Sequence, residues 1–528
     1  MLGAAVASVQ LHNSDAILPI QQKVADLVEF TNNRIEALGL PQFEVTHSPL
    51  FFIPAGLPKV TTGLVSRMIG DGFFVNSAGF PATPMKRGGV RFMVNGNLEK
   101  EDFAQMLDAL AYHYPRVIEE EGCSLEQVAR FFHLPEIKIA DADDSIGQAA
   151  PQETDLQCIV ENSINAIDPT EWDAIMAERG NFTHSSLKML EYVFSNKNEP
   201  ENNWNFEYFK VLDHNTGDVI LNTFYTTAIL KDDMFSPASI SQQLETLRKE
   251  DPFYLTTKTV LLGSPITKGS HLFLNREHPQ WKAALELLIE QMHKKVESTK
   301  ANQLMLREFR KDADPELKRF LMDHGLIEVD VLDECRIEDM SWKDHDEYLQ
   351  RLGGKYRYNV RKEILPFVDE FDVVTERPQS PEEIRICYDL YCNVWEQAFE
   401  MNVYRLPYSY FESICHHPEY DIIRLYRKGT DTPVGVMFSH RRDKNYQALI
   451  VGLDYRFVRS MNTYKQMLYQ TVWRAWELGC EQLDLAFTAE LEKKKVGARP
   501  EKVCIYVQSM DHFNHAVLST MTQAALVK

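Results

Sequence analysis

The spacing of apolar positions predicts an α+β unit over the first 134 residues. The predicted elements are, in order, a helix over 15–38, a strand at 50–53, a helix over 61–70, strands at 73–75 and 87–95, and a helix from about 101. In the last helix the apolar residues recur every three or four positions, which places them on one face: Phe103, Met106, Leu107, Leu110, Ala111 and Tyr114.

Beyond residue 157 the same pattern occurs twice. Each copy has a hairpin, an apolar strand that ends in glycine, a long amphipathic helix and a short strand. In the first copy these are 206–224, 260–263, the helix around 281–296, and 303–306. In the second copy they are 420–438, 449–452, the helix around 464–476, and 482–485. Because four elements share one order, duplication explains the pattern better than coincidence does.

An acidic stretch of small residues without periodicity separates the first unit from the repeats. It indicates a linker. We therefore predict an N-terminal domain over 1–134, a linker over 135–157, and two repeated domains over 158–335 and 336–528.

Composition and charge exclude several classes of protein. The chain has 528 residues, 44% of them hydrophobic, and a net charge of −21. Such a surface repels nucleic acid. No stretch is long and apolar enough to span a bilayer, and no basic segment marks a signal peptide. We expect a cytoplasmic protein, and homodimerisation stays open.

Cysteine and histidine spacing gives no sign of a metal centre. The eight cysteines contain no C-x-x-C pair, so free thiols in a reducing compartment are expected. The pairs His416/His417 and His512/His515 have no nearby third ligand in the sequence. No metal site is predicted.

A proline-rich turn at 77–84 leads into the strand at 87–95, in which Arg91 is predicted to point inward. This resembles the small C-terminal domain of the α-oxoamine synthases, which use pyridoxal phosphate (PLP). The resemblance implies that Arg91 binds an amino-acid carboxylate through its bidentate guanidinium. It places the family's PLP lysine upstream of this segment. We therefore expect PLP only if another chain supplies the large domain.

The order of elements in each repeat resembles the GNAT N-acyltransferase fold, and two copies resemble the FemAB-like branch. Trp342, the stretch 349–361, Tyr388 to Tyr391 and Trp395 are similar to motifs of that branch. The segment from 483 to 498 is similar to its D-F-G…Y-K…G ending. Here Ala486 replaces the glycine and Lys493 the tyrosine. The predicted fold class is therefore α/β (α+β), with a duplicated GNAT fold after the N-terminal domain.

The GNAT resemblance implies a site for an acyl thioester at the start of the long helix after the central strand, where backbone N–H groups bind the pyrophosphate of coenzyme A. In the second copy the predicted binding residues are Arg459, Asn462, Thr463, Lys465 and Lys494. The first copy has a loop at 263–270 that is richer in glycine and hydroxyl groups. The sequence does not decide between the copies, and by resemblance we favour a second-copy site between the two.

Two residues are candidates for proton transfer. Asp454 follows the central strand where a base would lie, although an aspartate there also caps turns. Tyr446 could donate to the leaving thiolate, although an aromatic in this strand is more often part of the core. Lys355, Arg357 and Arg361 form a basic helix that either binds an anionic ligand or is a solvated face.

The combined prediction is an N-acyltransferase that moves an acyl group from coenzyme A or an acyl carrier protein to an amine. The fused N-terminal domain points to an aminoketone or a sphingoid-type base, and so to lipid biosynthesis. One alternative is a partial α-oxoamine synthase that needs a PLP-binding partner chain. The other is a non-catalytic scaffold that binds an acyl carrier or a lipid.

Overall fold

The computed structural model describes residues 9, 11–79, 82–139 and 156–510. The chain divides into an N-terminal unit that also contains 319–327, and a larger unit of residues 153–318 and 328–510. Most of the predicted linker, part of the turn at 77–84, and His512/His515 lie outside the described residues. The predicted domain boundaries stay predictions.

The N-terminal unit is a small α+β domain. Its elements are α1 (Ile17–Leu38), β1 (Leu50–Gly56), α2 (Pro58–Gly70), β2 (Asn76–Ala78), β3 (Gly88–Met93), α3 (Lys100–Glu120) and α4 (Leu125–Phe132). The strands form an antiparallel sheet in the order β1-β3-β2, and apolar residues of the helices and the sheet form one buried cluster.

The helix predictions of this unit are confirmed. Helix α1 ends where Gly39 adopts a φ of 67° and its N–H bonds back to Glu36 and Ile35. Helix α3 begins with a capping box between Glu99 and Asp102. The strand predicted at 73–75 is wrong, because pairing begins only at Asn76.

The predicted inward orientation of Arg91 is also wrong. Successive side chains in a strand point to opposite faces. Val90 and Phe92 are both buried in the core, so Arg91 between them faces outward and is exposed. The role of Arg91 in binding a carboxylate is untested and stays a prediction.

The larger unit contains both repeats, except for residues 319–327 of the first repeat, which belong to the N-terminal unit. The first repeat consists of β4 (Leu156–Glu161), α5 (Pro169–Met176), α6 (His184–Phe194), β5 (Asn205–Asp213), β6 (Val219–Lys231), α7 (Ala238–Leu247), β7 (Thr256–Leu262), β8 (Leu272–Leu274), α8 (Trp281–Thr299), β9 (Gln303–Arg310), α9 (Pro315–Asp323), β10 (Ile327–Asp330) and β11 (Glu334–Ile337). The second consists of α10 (His345–Arg351), α11 (Gly354–Asn359), β12 (Phe371–Val374), α12 (Pro381–Trp395), α13 (Tyr408–His416), β13 (Tyr420–Arg427), β14 (Pro433–Arg442), β15 (Asn445–Leu453), α14 (Tyr455–Val458), α15 (Thr463–Glu477), β16 (Gln482–Asp484), α16 (Glu490–Lys495), β17 (Arg499–Glu501) and β18 (Val503–Ser509).

The two repeats build two sheets with the same internal topology. The first sheet has the order β10-β18-β9-β7-β6-β5-β4, with β8 beside β6, and the second has the order β12-β13-β14-β15-β16-β11-β17. In each, an antiparallel hairpin pairs with a central strand, β7 or β15. The long helix then leads to a parallel neighbour, β9 or β16. The predicted order of elements is confirmed in both copies.

The last strands of the two repeats are exchanged. Strand β11 follows the first repeat in the chain but pairs with β16 of the second sheet. Strand β18 follows the second repeat but pairs with β9 of the first sheet. Cys335 in β11 and Cys504 in β18 are fully buried. Each sheet is therefore completed by a strand from the other copy, which makes the two copies interdependent in folding.

The long helices cover the sheets with the faces that periodicity predicts. Helix α8 buries a continuous stripe: Trp281, Ala284, Leu285, Leu288, Ile289, Met292 and Val296. Helix α15 likewise buries Met467, Leu468, Thr471, Val472 and Ala475. Within the described ranges, no helix combines the length and the apolarity needed to cross a bilayer.

Candidate functional site

Strands β15 and β16 separate after three pairs of residues. They pair in parallel only from Asn445 with Gln482 to Gln447 with Asp484. Beyond that point β15 continues to Leu453, while the chain after β16 turns away. A cavity of about 500 Å³ lies at the opening, with 449–451 on one wall and 486–488 on the other.

A β-bulge lies on the β15 side of this opening. Phe438 of β14 pairs with Ile450, and the next residue, Ser439, pairs with Ala448. Leu449 is therefore an extra residue outside the regular ladder with β14. At the wall of a cavity, such a bulge makes backbone hydrogen-bonding groups available to a ligand.

The opposite side carries unusual backbone conformations. Ala486, Thr488 and Ala489 have φ values of 59°, 65° and 48°. Residues with a Cβ rarely adopt this left-handed region, which costs about 1–2 kcal/mol per residue. Strain of this kind is concentrated at functional sites. The only sequence signal for this turn is Ala486, which replaces the glycine of the related D-F-G…Y-K…G motif.

Other walls of the cavity come from both copies. The second copy contributes the segment between α12 and α13, including Trp395, Met401 and Tyr404, and the first copy contributes 229–231, 265–268 and 307–308. Most of these side chains are apolar or aromatic. The interior therefore suits an apolar chain with a small number of polar groups.

Two buried lysines of the first copy line the cavity, and each has carboxylate partners behind the wall. The ammonium of Lys231 lies 2.8 Å from Glu245 and over the ring of Tyr404, and burial lowers its pKa. Lys268 contacts Glu334 and lies 2.9 Å from Asp484. The positive charge of both lysines is thus compensated from outside the cavity.

A third buried lysine lies beside the strained turn. Lys493, in α16, is 4% exposed and donates a hydrogen bond to the carbonyl of Phe487. Burial lowers the pKa of Lys493 to about 8. The sequence indicated this position only as a departure from a tyrosine in the related motif.

The two predicted catalytic residues have other partners. Tyr446 is fully buried and donates a hydrogen bond to Asp421, 2.8 Å away, and burial raises the pKa of the Tyr446 phenol well above its usual value. Asp454 caps the short helix α14 and bonds to Arg456, which lowers the pKa of the Asp454 carboxyl. Neither residue lines the 500 Å³ cavity. Their catalytic roles stay predictions.

The predicted anion-binding residues gather around the start of α15. Asn462 has a φ of 51° and accepts a hydrogen bond from Lys465, which also lies 2.9 Å from Glu363. Thr463 is buried and donates to the carbonyl of Phe457, whereas Arg459 is exposed.

The remaining predicted cations lie on other helices. Lys494 contacts Glu490 within its own helix. Arg357 donates to the carbonyls of Gln350 and Leu352, and so caps the end of α10. Lys355 and Arg361 are exposed. The basic helix therefore has one structural member and two exposed cations, and its role in binding is untested.

In the first copy, the corresponding loop is residues 263–270. Buried side chains of this loop occupy the space in which a ligand could bind. The hydroxyl of Ser264 bonds to that of Thr267, which also contacts the ring of His271 at 3.0 Å. All three residues are buried, and the His271 ring packs against Gly263. Burial lowers the pKa of His271 to about 3, so the ring is neutral at physiological pH. The hydroxyl groups that made this loop a candidate are engaged within the protein.

Comparison with known proteins adds one family match. Residues 354–494 match a family described as the acetyltransferase (GNAT) domain. This range includes β15, α15 and β16. No curated protein matches the chain in sequence.

Several solved structures are similar to this chain at low identity. A tandem GNAT protein from the clavulanic acid biosynthesis pathway is 12% identical with a TM-score of 0.42, and the match covers 67% of this chain and 99% of that one. L-PGS from Bacillus licheniformis is 10% identical with a TM-score of 0.40, over 67% and 96%. FemX is 10% identical with a TM-score of 0.43, over 64% and 96%. At TM-scores below 0.5, the function must be argued from this chain's own residues.

Topology and family match point to the same part of the chain. Both copies have the GNAT order of strands and helices, and the matched domain contains the open pair of parallel strands. None of these findings tests the resemblance of the N-terminal unit to the α-oxoamine synthases, which stays a prediction. The second copy therefore contains a region that matches the acetyltransferase (GNAT) domain.

Proposed function

We propose that this protein transfers an acyl group from a thioester to an amine between strands β15 and β16. The observation that carries the proposal is the cavity at this opening, bounded by the bulge at Leu449 and by the strained turn after β16. An extended acyl thioester placed along β15 can bond to the backbone there. Such fixed donors stabilise the negative charge that develops on the carbonyl oxygen.

The proposed reaction needs no covalent enzyme intermediate. The neutral amine attacks the thioester carbonyl, the carbon–nitrogen bond forms and the carbon–sulfur bond breaks. The thiolate leaves and takes up one proton, and the nitrogen loses one. The products are an amide and a free thiol. The protein contributes mainly by orienting the two substrates and excluding water from the cavity.

Coenzyme A is the donor that the second copy suits best. Its pyrophosphate would lie at the start of α15, where backbone N–H groups favour an anion. Arg459 is exposed there, and Lys465 lies one turn into the helix. We place Lys494 at the edge of this site. An acyl carrier protein would present the same phosphopantetheine thioester. Both donors therefore belong to one chemical class, the phosphopantetheine thioesters.

The acceptor is proposed to be an amphipathic amine. Most of the side chains around the cavity are apolar, which favours an aliphatic portion, while the reaction requires an amino group at the opening. An aminoketone or a sphingoid-type base has this chemistry, which would connect the protein to lipid biosynthesis.

Release of free thiol tests this function. The purified protein would be supplied with acetyl-, octanoyl- and palmitoyl-coenzyme A, with and without serine, a sphingoid base, a short aminoketone or dodecylamine. We expect thiol release that depends on the amine, together with the matching amide by mass spectrometry. Absence of amine-dependent release with every pair would contradict the proposal.

A further inference from the structure

The second copy's cavity receives a charged wall from the first copy. We propose that Glu308 of the first copy binds the ammonium group of the acceptor amine at the acyl-transfer site of the second. This inference rests on the proposed function and extends it, because it assigns the acceptor's binding residue and makes the acceptor a cation. The active site is then shared between the copies.

The position of Glu308 supports this role. It lies near the end of β9, the strand that corresponds to β16, and lines the same cavity as the bulge at Leu449 and the turn at 486–488. Its side chain is only 9% exposed. Glu201 and Glu400 line this cavity as well; Glu400 is exposed, and Glu201 is partly buried but, unlike Glu308, is not held in a left-handed backbone conformation. Glu308 is therefore the carboxylate that an amine would meet away from bulk water.

The backbone of Glu308 is strained. Its φ is 61°, in the left-handed region that a residue with a Cβ rarely adopts. Glycine would occupy this conformation without that cost. A glutamate that is held there by its surroundings indicates that the carboxylate itself is used. The strained turn at 486–489 follows β16 of the other copy, and its residues 486–488 line the same cavity.

The surroundings keep Glu308 ionised while leaving it room to bind a cation. Burial alone raises the pKa of this carboxyl, but Arg307, Lys268 and the N–H of Gly269 together lower it below its usual value. One carboxylate oxygen accepts from Arg307 and the other from Gly269 at 2.7 Å. An ionised carboxylate has about four acceptor positions, so two more donors can be accommodated.

The charges around the cavity are consistent with a cationic acceptor. Lys231 and Lys268 have carboxylate partners that do not line the cavity, and Arg307 is paired with Glu308 and also bonds to the carbonyl of Ser264. Glu201 and Glu400 add negative charge. A carboxylate with a lowered pKa is a weak base, so Glu308 binds the ammonium rather than removing its proton. The amine passes that proton to water at the mouth of the cavity when it leaves Glu308 to attack the thioester.

The test is a steady-state comparison of three matched variants. Glu308→Gln, Glu201→Gln and Glu400→Gln each replace one cavity carboxylate with its neutral isostere. The probe is the amine of the panel that gives the fastest thiol release with wild-type protein, varied at saturating acyl donor. We expect Glu308→Gln to raise KM for the amine about 10- to 100-fold, the cost of one lost charged hydrogen bond, with a smaller change in kcat and an unchanged KM for the donor. The other two variants should change the KM for the amine less than threefold.

A second measurement covers the case in which Glu308→Gln does not fold. Wild-type protein would be inhibited with the N,N-dimethyl derivative of that amine, which is cationic but forms no stable amide, and with the alcohol of equal length. We expect the tertiary amine to inhibit at least tenfold more strongly than the alcohol. Equal inhibition, an unchanged KM in folded Glu308→Gln, or a rise in KM confined to Glu201→Gln or Glu400→Gln would overturn the inference. Failure of wild-type protein to release thiol would instead overturn the proposed function.

Discussion

The two copies have the same topology but differ at the central strand. In the first copy, β6 and β7 pair without interruption from Thr226 with Leu261 to Lys231 with Thr256. In the second copy the equivalent ladder between β14 and β15 is interrupted at Leu449. The loop after β7 is filled by the buried Ser264, Thr267 and His271, whereas the opening beside β15 leads to a cavity. The two central strands therefore differ in their pairing with the preceding strand at the point where β15 borders the cavity.

The first copy nevertheless retains a place in the second copy's site. It supplies walls of the cavity, among them Lys268 and Glu308, and it exchanges its last strand with the second sheet. Under the proposed function, the second copy provides the reacting strands and the first copy provides supporting walls of the cavity.

The largest expected effect comes from the exchanged strands. Cys504→Arg in β18 and Cys335→Arg in β11 each place an unpaired charge at a fully buried position. We expect each to lower the free energy of unfolding by more than about 3 kcal/mol and to reduce soluble protein sharply. Chemical denaturation measures the effect. Glu338→Arg, at a side chain that is 61% exposed, is the control and should change stability little. Equal stability of all three variants would show that the exchange does not hold the copies together.

Filling the second opening should reduce activity strongly, and it should also cost about 1–3 kcal/mol of stability, because Val451 packs against the core of the second copy. Val451→Trp projects a large ring from the β15 wall of the cavity, and we expect amine-dependent thiol release to fall about 100-fold or more, which corresponds to roughly 3 kcal/mol of transition-state stabilisation. Val373→Trp, on the exposed face of β12, is the matched control.

The first copy offers the reverse comparison. Ser264→Ala removes a buried hydroxyl that bonds to Thr267, so we expect the free energy of unfolding to fall by about 1–3 kcal/mol while kcat stays within twofold. A loss of activity from Ser264→Ala with intact stability would place the reaction in the first copy instead.

Lys493 has a counterpart in the first copy with the opposite electrostatic behaviour. Lys318, in α9, is 32% exposed, and Glu328 raises its pKa. Burial lowers the pKa of Lys493 to about 8 from an ordinary value of 10.5. Between those values the unfolded chain binds more protons than the folded one, so this residue makes stability rise from pH 8 to pH 10.5.

Lys493→Met should remove that rise and increase stability at pH 7, where the folded protein otherwise carries a buried charge. Denaturation of wild type and variant at pH 7, 8, 9 and 10 checks this expectation. If the free energy of unfolding changed with pH in the same way for both proteins, burial would not lower the pKa of Lys493 in the native state.

The smallest expected effect concerns the starts of the two long helices. Arg459→Glu reverses an exposed charge near the start of α15, and Lys282→Glu does the same at the start of α8, where Lys282 is 54% exposed. We expect KM for acyl-coenzyme A to rise about tenfold in Arg459→Glu and less in high salt, because exposed charges are screened. Lys282→Glu should leave this KM within twofold. The same response in both variants would mean that the anion is not bound at one particular helix.

Hydrophobic periodicity was sufficient to predict the order of elements in both copies, because each long helix buries one stripe, as α8 does. It could not predict the exchange of β11 and β18, because a strand's apolar pattern does not specify which sheet it joins. Asp454 illustrates a further limit, since the residue that would serve as a base after the central strand caps α14 and bonds to Arg456.

The site itself was only partly predictable. The second copy was favoured by resemblance, but the bulge at Leu449 has no sequence signal. The left-handed turn at 486–489 is indicated only by the resemblance, in which Ala486 replaces a glycine. The role inferred for Glu308 likewise depends on tertiary structure, since this residue reaches the cavity from the other copy.

A crystal structure of the full chain with a palmitoyl-coenzyme A analogue, in which a thioether replaces the thioester, tests the central claim most directly. The account predicts that the thioether sulfur lies between 449–451 and 486–488, at the edge of the 500 Å³ cavity, with the pyrophosphate at the start of α15. An analogue bound with its pyrophosphate at the start of α8 in the first copy, and with no contact to 449–451 or 486–488, would contradict it.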